Sequence, residues 1–462
     1  MKIYLKLLIT LCITGALVSC SPGKVYQFKK EVNEPLYREM NQTDTVSIAQ
    51  MDWQEFFSDA DLKNLIQSGL QNNLDLKMGI QRIEIAHSML KQSKAAFLPD
   101  VRGGGGFKQS KMSYPQGLGN SKDTALYDIY ANASWEIDIW GKLASNKRAF
   151  LYRLMQSESV QRAVQTQIVA QIADYYYQLL TLDKQQVILE KTIENMALDV
   201  KTMNRLKESN TVTGAAVVQS EANYYDAQAD LPRIKREIRE VENAINVLLG
   251  QAAQPIIRGS LDHQKSHYNL NVGVPSQLLA NRPDVHAMEL EVASYFEEIN
   301  VAQRAFYPSL TITASGGFSS FELKDWFSST GFFANIAGGL VQPIFNKRLN
   351  KTRLEIARAN YRGKVYDFQK ALITAGQEVS DALYSYESAA EQEQKRMVQI
   401  DKLSLAVDYT KKLLVYHSST NYTDVLTSEQ AYLGAQIQLT NDQLLKWRSV
   451  IKLYRSLGGG VR

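Results

Sequence analysis

The side chains Ile168, Ile172, Tyr175, Leu179, Leu182, Gln186, Leu189, Ile193, Met196, Val200 and Met203 recur at alternating steps of four and three, and only Gln186 is polar. That spacing keeps one stripe of a helix apolar and is the seam of a coiled coil. It lies inside a helix expected over residues 143–208, on the order of 100 Å long at a rise of about 1.5 Å per residue. No compact domain encloses such a rod, so it has to lie beside others. The returning segment 213–249 supplies one neighbour, and Pro232, which lacks an amide, is expected to interrupt or kink it. A second seam runs through Tyr361, Val365, Phe368, Leu372, Ala375, Val379, Ala382, Tyr386 and Ala389, where small residues let helices approach closely.

The second seam belongs to a duplication. Ala96-Phe97-Leu98-Pro99 returns as Ala305-Phe306-Tyr307-Pro308, and Leu249-Gly250 returns as Leu457-Gly458. Ser220-Glu221, Tyr224 and Ala227-Gln228 return as Ser428-Glu429, Tyr432 and Ala435-Gln436. A period of about 208 residues is a duplicated domain, since solenoid repeats are far shorter. The first repeat spans 61–250, with a leading helix, strands over 99–110 and 124–139, and the two long helices. Residues 251–275 connect it to the second repeat, 276–458, and 459–462 form a tail. The second repeat holds a helix over 282–306, strands over 308–320 and 332–344, and long helices over 347–417 and 421–457.

The strand segments carry a membrane signal. Tyr127, Ile129, Ala131, Ala133, Trp135, Ile137 and Ile139 alternate with positions that include Asp128, Asn132, Ser134, Glu136 and Asp138. In the second copy Leu310, Ile312, Ala314, Gly316 and Phe318 alternate with Thr311, Thr313, Ser315, Gly317 and Ser319. One face can meet lipid and the other water, with Tyr127 and Trp135 as interface aromatics. The flanking segments, with glycines at 103–106 and Gly338-Gly339, give a weaker strand signal. Four strands cannot close a barrel, because membrane barrels need about eight or more and open edges are not tolerated in hydrocarbon. The barrel must be shared: three chains would contribute twelve strands and wrap their long helices into one tube. The polar tips 110–123 and 320–331 would then face outward.

Export is written at the start of the chain. Lys2 and Lys6 precede an apolar run over 7–18, too short for a permanent bilayer crossing, and no longer apolar stretch follows. Leu17-Val18-Ser19-Cys20 resembles the lipobox of bacterial lipoproteins, which makes 1–19 a signal peptide, Cys20 the lipid-bearing residue and 20–60 a lipidated N-terminal segment. Cys12 falls inside the leader, leaving no partner for a disulfide and no thiolate metal site. The 52 basic and 48 acidic residues are spread evenly to a net charge of +4, so no basic face points to nucleic acid. There is no phosphate-binding G-x-x-x-x-G-K-[ST], no H-E-x-x-H and no G-x-S-x-G, hence no catalytic or cofactor residue to name. His263 and His267 beside Asp262 lie in a loop-like context without further ligands, so no metal site is assigned.

Taken together, several stretches resemble the TolC-like outer-membrane efflux proteins, in particular their lipoprotein branch of OprM type. They are Trp53-Gln54-Glu55-Phe56-Phe57 with Asp59 and Leu62; Trp135-Glu136-Ile137-Asp138-Ile139-Trp140-Gly141-Lys142; and Val274-Pro275-Ser276 with Leu278-Leu279 and Asn281-Arg282-Pro283-Asp284. Phe306-Tyr307-Pro308-Ser309-Leu310, Gln342-Pro343-Ile344-Phe345 and Leu457-Gly458-Gly459-Gly460 complete the set. The resemblance implies a mainly α fold with a transmembrane β-barrel: a homotrimer with a twelve-stranded barrel in the outer membrane and an α-helical tunnel closed at its periplasmic tip. It also implies docking to a periplasmic adaptor (membrane fusion protein) and an inner-membrane pump, for export of small toxic compounds.

The tip would comprise 205–214 and 414–422. Thr423-Asp424-Val425-Leu426-Thr427 resembles the family's gate segment, in which a ring of aspartates constricts the tube; Asp424 is the candidate. Three carboxylates on a symmetry axis would repel one another and attract cations. The bland alternative is an acid favoured by a helix start. Thr427 stands where some members carry a second acid, and Thr420 where some carry a latching Arg, so a gate held by that arginine is in doubt. Tyr416, His417 and Asn421 could hydrogen-bond between neighbouring helix pairs instead. The competing function is a periplasmic coiled-coil structural or adaptor lipoprotein without channel activity, which explains the rods but not the strands.

Overall fold

The computed structural model describes residues 25–27, 52–111, 123–264, 282–416 and 422–459; the leader, Cys20 and Val274-Pro275-Ser276 lie outside them. The first elements are helices α1 (Trp53–Phe56), α2 (Ala60–Asn72) and α3 (Leu74–Ala95), strands β1 (Asp100–Lys111) and β2 (Asp123–Ile137), and long helices α4 (Lys142–Glu208) and α5 (Gly214–Leu248). Then come α6 (Pro283–Arg304), β3 (Ser309–Ser320), β4 (Phe332–Val341), α7 (Leu349–Tyr416) and α8 (Tyr422–Ser456). The chain divides into two units that cut across the repeats: one draws on 82–157 and 288–368, the other on 30–81, 158–287 and 369–462.

The first unit holds a four-stranded antiparallel sheet in the order β1-β2-β3-β4. Its register puts Ile129 opposite Phe318, Ala133 opposite Ala314, Trp135 opposite Ile312 and Ile137 opposite Leu310, and Ala314 opposite Ile336. Directly paired residues share a face, so the apolar sets of both repeats fall on one side. On the other side one row reads Arg102, Asn132, Ser315 and Asn335. The glycine-rich segment after Pro99 forms a full 12-residue strand, firmer than its composition suggested. Close strand approach explains one glycine: a Cβ on Gly317 would sit 2.1 Å from the Ile129 carbonyl oxygen. The connection after β3 departs from the expected polar tip, because Phe321, Leu323, Trp326 and Phe327 lie in it with two short 3-10 turns.

Strand gives way to rod between residues 137 and 142. The Asp138 carboxylate accepts from the amides of Leu143 (3.0 Å) and Ala144 (2.8 Å), two donors that the first turn of a helix leaves without partners. Gly141 takes φ +75°, in the left-handed region, and its carbonyl accepts from Arg304 at 2.9 Å. Trp140 donates its indole N–H to the Pro308 carbonyl at 2.7 Å and stacks on Tyr307. Beneath the turn, Arg148 grips the fully buried Glu297 with two 2.8 Å hydrogen bonds. Removing one partner of such a pair strands a buried charge, at a cost of about 3–5 kcal/mol.

In the second unit the long helices of the two repeats lie against each other. Tyr177 of α4 stacks face to face on Trp447 of α8, ring centroids 4.3 Å apart, and Arg448 binds Asp174 at 2.7 Å. The N-terminal Phe56 and Phe57 bury against Tyr454, while Asp59 caps α2 and accepts from the Tyr176 hydroxyl at 2.9 Å. Pro232 does not interrupt α5, which runs continuously through it. Pro232 and Gln228, whose carbonyl is deprived of its helical donor, are both exposed, so water can replace the missing bond. No helix among the described residues is long and apolar enough to cross a membrane.

Asp138→Ala should remove the cap of α4 at a local cost of about 0.5–2 kcal/mol. Hydrogen exchange at Leu143 and Ala144 is expected to accelerate about threefold or more; unchanged exchange there would show that the carboxylate does not hold the helix start.

Candidate functional site

The ends of four long helices meet in a small core of the second unit. Met203 of α4, Val217 of α5, and Tyr422 and Val425 of α8 are buried together, with Leu206, Val212, Leu414 and Leu426 packed around them. Each such side chain contributes about 1.5–3 kcal/mol when buried, so these helix ends are held by packing. The α4–α5 connection is closed by caps. Asn210 adopts φ 58° and donates to the Lys207 carbonyl, and Thr213 Oγ1 accepts from the Ala216 amide.

The expected gate residues distribute around this core. Asp424 lies in the first turn of α8 and is exposed, while its neighbour Val425 points inward. Thr427 is also exposed, but its hydroxyl is engaged, donating to the Thr423 carbonyl at 2.9 Å. Tyr416 is the last residue of α7 and is 78% exposed. Thr420, Asn421 and His417 lie outside the described residues. The helix start and the ring candidate thus coincide at Asp424: it occupies the end of a helix where an acid is electrostatically favoured, on the side turned away from the core.

One constellation was not anticipated. Lys411 Nζ of α7 lies 3.0 Å from Asp199 Oδ2 of α4 and 2.5 Å from Glu429 Oε1 of α8, so a single ammonium serves two carboxylates. Burial pushes the Glu429 carboxyl up to about 7, the Lys411 hydrogen bond opposes that rise, and the charge of Asp199 adds to it. Burial works against the charge of Lys411 too, but its hydrogen bond to Glu429 and the two carboxylates raise its pKa overall. A signal for Glu429 existed in the sequence, since it repeats Glu221, but nothing there linked it to Lys411. Among the described residues, no group of three or more His, Cys, Asp or Glu side chains is placed to hold a metal ion.

A family model described as "Outer membrane efflux protein" matches residues 65–251 and 274–459. The "Cation efflux system protein CusC" of Escherichia coli (strain K12) is 26% identical over 463 residues, 98% of this chain and 99% of its own length. The "Probable outer membrane lipoprotein SilC" of Salmonella typhimurium is 26% identical over 410 residues, 88% of each chain. The crystal structure of CusC, described for conformational changes accompanying folding and transmembrane channel formation, matches with a TM-score of 0.84 at 24% identity. That match covers 94% of this chain and 99% of that one, and is a likeness of fold.

A carboxyl whose pKa is raised on folding binds its proton more tightly folded than unfolded. The stability it contributes is complete below its ordinary value near 4.5 and is lost as pH rises through about 7. The helix ends around Lys411 should therefore loosen between about pH 5 and 8, and Glu429→Gln should flatten that dependence. Hydrogen exchange of peptides covering α7 and α8, corrected for intrinsic rates, would read this; identical pH profiles for both proteins would refute it.

Proposed function

Since the chain belongs to the outer membrane efflux protein family, and so is an outer-membrane channel subunit of an efflux pump, we propose that three copies build the channel. Each would supply four strands to a twelve-stranded barrel and its long helices to a periplasmic tunnel. The observation that carries this reading is the sheet itself. It has one apolar and one polar face, and β1 and β4 have no further strand beside them among the described residues. A lipid-facing sheet with open edges is not viable in hydrocarbon, and identical neighbours related by a closed rotation provide the missing pairing. The same sheet argues against a periplasmic scaffold or adaptor without channel activity, which would have no use for a continuous apolar face over both repeats.

In this reading Asp424 lines the constriction, where three symmetry-related carboxylates repel one another and draw cations. Thr427, Thr420, Asn421 and Tyr416 border it, and no arginine latch takes part. Cys20 bears the covalent lipid that tethers the processed chain. A periplasmic adaptor docks on the helix ends, and an inner-membrane pump selects the small toxic compounds exported. The chain performs transport and no chemical conversion, with no cofactor besides that lipid.

Purified protein in planar bilayers should conduct, and Asp424→Ala should raise the closed-state conductance severalfold or shift selectivity away from cations. Native mass spectrometry in detergent should give three chains. A conducting trimer whose conductance and selectivity ignore Asp424→Ala would remove the gate assignment while leaving the channel intact; a monomer soluble without detergent would remove the channel itself.

A further inference from the structure

The connection between β3 and β4 does not have the composition of a loop standing in water. Trp326 and Phe327 stack on each other, with ring centroids 5.3 Å apart and 22° between planes. The pair folds back onto the sheet, Trp326 meeting Tyr127 at 5.9 Å and Phe327 meeting Phe318 at 5.7 Å. Both contacted rings belong to the apolar face: Phe318 is paired with Ile129, and Tyr127 lies two residues from Ile129 on the same strand. Phe107 and Phe332 extend the cluster along the two outer strands. The loop thus continues the face that the barrel turns to lipid.

The cluster is left open on its outer side. Phe327 of the cluster is 66% exposed, and Phe321 at the start of the same connection is 68% exposed, a large apolar area for a loop of this length. Part of the main chain is paired within the loop. The amides of Asp325, Trp326, Ser328 and Gly331 donate to the carbonyls of Glu322, Leu323, Asp325 and Ser328, so the two short turns close on themselves. Charges are interleaved with the rings, and Lys324 Nζ sits 2.8 Å from Glu322. Rings mixed with charges are the composition of a membrane–water interface, where amphipathic aromatics settle at headgroup level. Trp135 and Tyr127 lie on one face of β2, eight residue steps or about 26 Å apart along the strand at roughly 3.3 Å per residue. At a strand tilt of about 35–45° that covers about 19–22 Å of depth, most of the apolar band of about 25 Å in such barrels, and the Trp326 cluster lies beyond Tyr127.

We propose that the connection over 321–331 is an interfacial anchor, seated among the headgroups and upper acyl chains of the outer leaflet, and not a loop projecting into external water. The proposal rests on the barrel reading above, with Trp135 marking one border of the lipid band and the Trp326 cluster the other. It sets the depth at which the barrel floats.

The test uses full-length protein in phosphatidylcholine vesicles brominated at defined acyl positions. The Trp326 signal is the difference in fluorescence between the parent and Trp326→Phe, and the Trp135 signal is obtained likewise from Trp135→Phe. Trp326 emission should be quenched at least twofold by bromines near the headgroup, less by bromines near the chain end, and little by aqueous iodide. Quenching by iodide and not by lipid overturns the anchor in favour of a solvated loop. Quenching by neither overturns it in favour of contact with a second copy. Trp135 separates the two levels: if it too escapes lipid quenching the barrel reading fails, whereas a lipid-quenched Trp135 beside an unquenched Trp326 sinks only the anchor. Should Trp326→Phe fail to assemble, Phe327→Trp in the otherwise unchanged chain places a second indole one position along, and its added emission is read against the same outcomes.

Discussion

Backbone N–H and C=O groups along the free sides of β1 and β4 have to find partners, and in hydrocarbon there is no water to provide them. That demand organises the rest of the molecule. It calls for a strand beside each edge, and in the proposed trimer identical neighbours supply them. It tolerates the glycines of β1, since in a closed sheet the main chain carries the pairing and a missing side chain costs little there. It also requires the helices to begin immediately after the strands, so that the main chain passes from one self-satisfied arrangement to the other. The Asp138 carboxylate and the left-handed Gly141 accomplish this within a few residues.

Much of this is readable in the sequence because it is periodic. The alternation through Ile129, Ala133 and Trp135, and through Ile312, Ala314 and Phe318, assigns two strands and their faces, and the register then puts both apolar sets on one side. Features without side-chain periodicity are read poorly. The strand over Gly103 to Gly106 hides its alternation because glycine has no side chain to alternate, and Pro232 reads as a break because sequence does not reveal that Gln228, whose carbonyl it leaves without a donor, is exposed to water. The helix start at Asp424 was legible from the local pattern. The Lys411, Asp199 and Glu429 cluster was not: it is assembled from three helices distant in the chain, and each residue by itself resembles an ordinary charge on a solvated face.

Several of the described stretches that carry the family resemblance turn out to be structural. Phe56, Phe57 and Asp59 pin the N-terminal helices to Tyr454 and Tyr176. Arg282, nearly buried, binds Asp284 at 2.7 Å, Glu378 at 2.8 Å and the Ser456 carbonyl at 3.1 Å, joining the start of α6 to the end of α8. Trp140 and Gly141 shape the turn into α4. A duct needs no reacting atoms, so its family signature records where the chain must bend, cap and pack. Its substrates leave little trace in these stretches.

The pairing of β2 with β3 has a consequence in time. Their ladder joins Ile137 to Leu310, across an entire long helical hairpin and the connecting segment. The local hairpins β1–β2 and β3–β4 can form as soon as each is available, but the contact between them must wait until most of the polypeptide has been exported, and closing so large a loop is slow. Until then the first half-sheet, with a greasy face and unmatched rims, waits in an aqueous compartment, the kind of intermediate that aggregates. Such a chain needs an escort before it reaches its membrane.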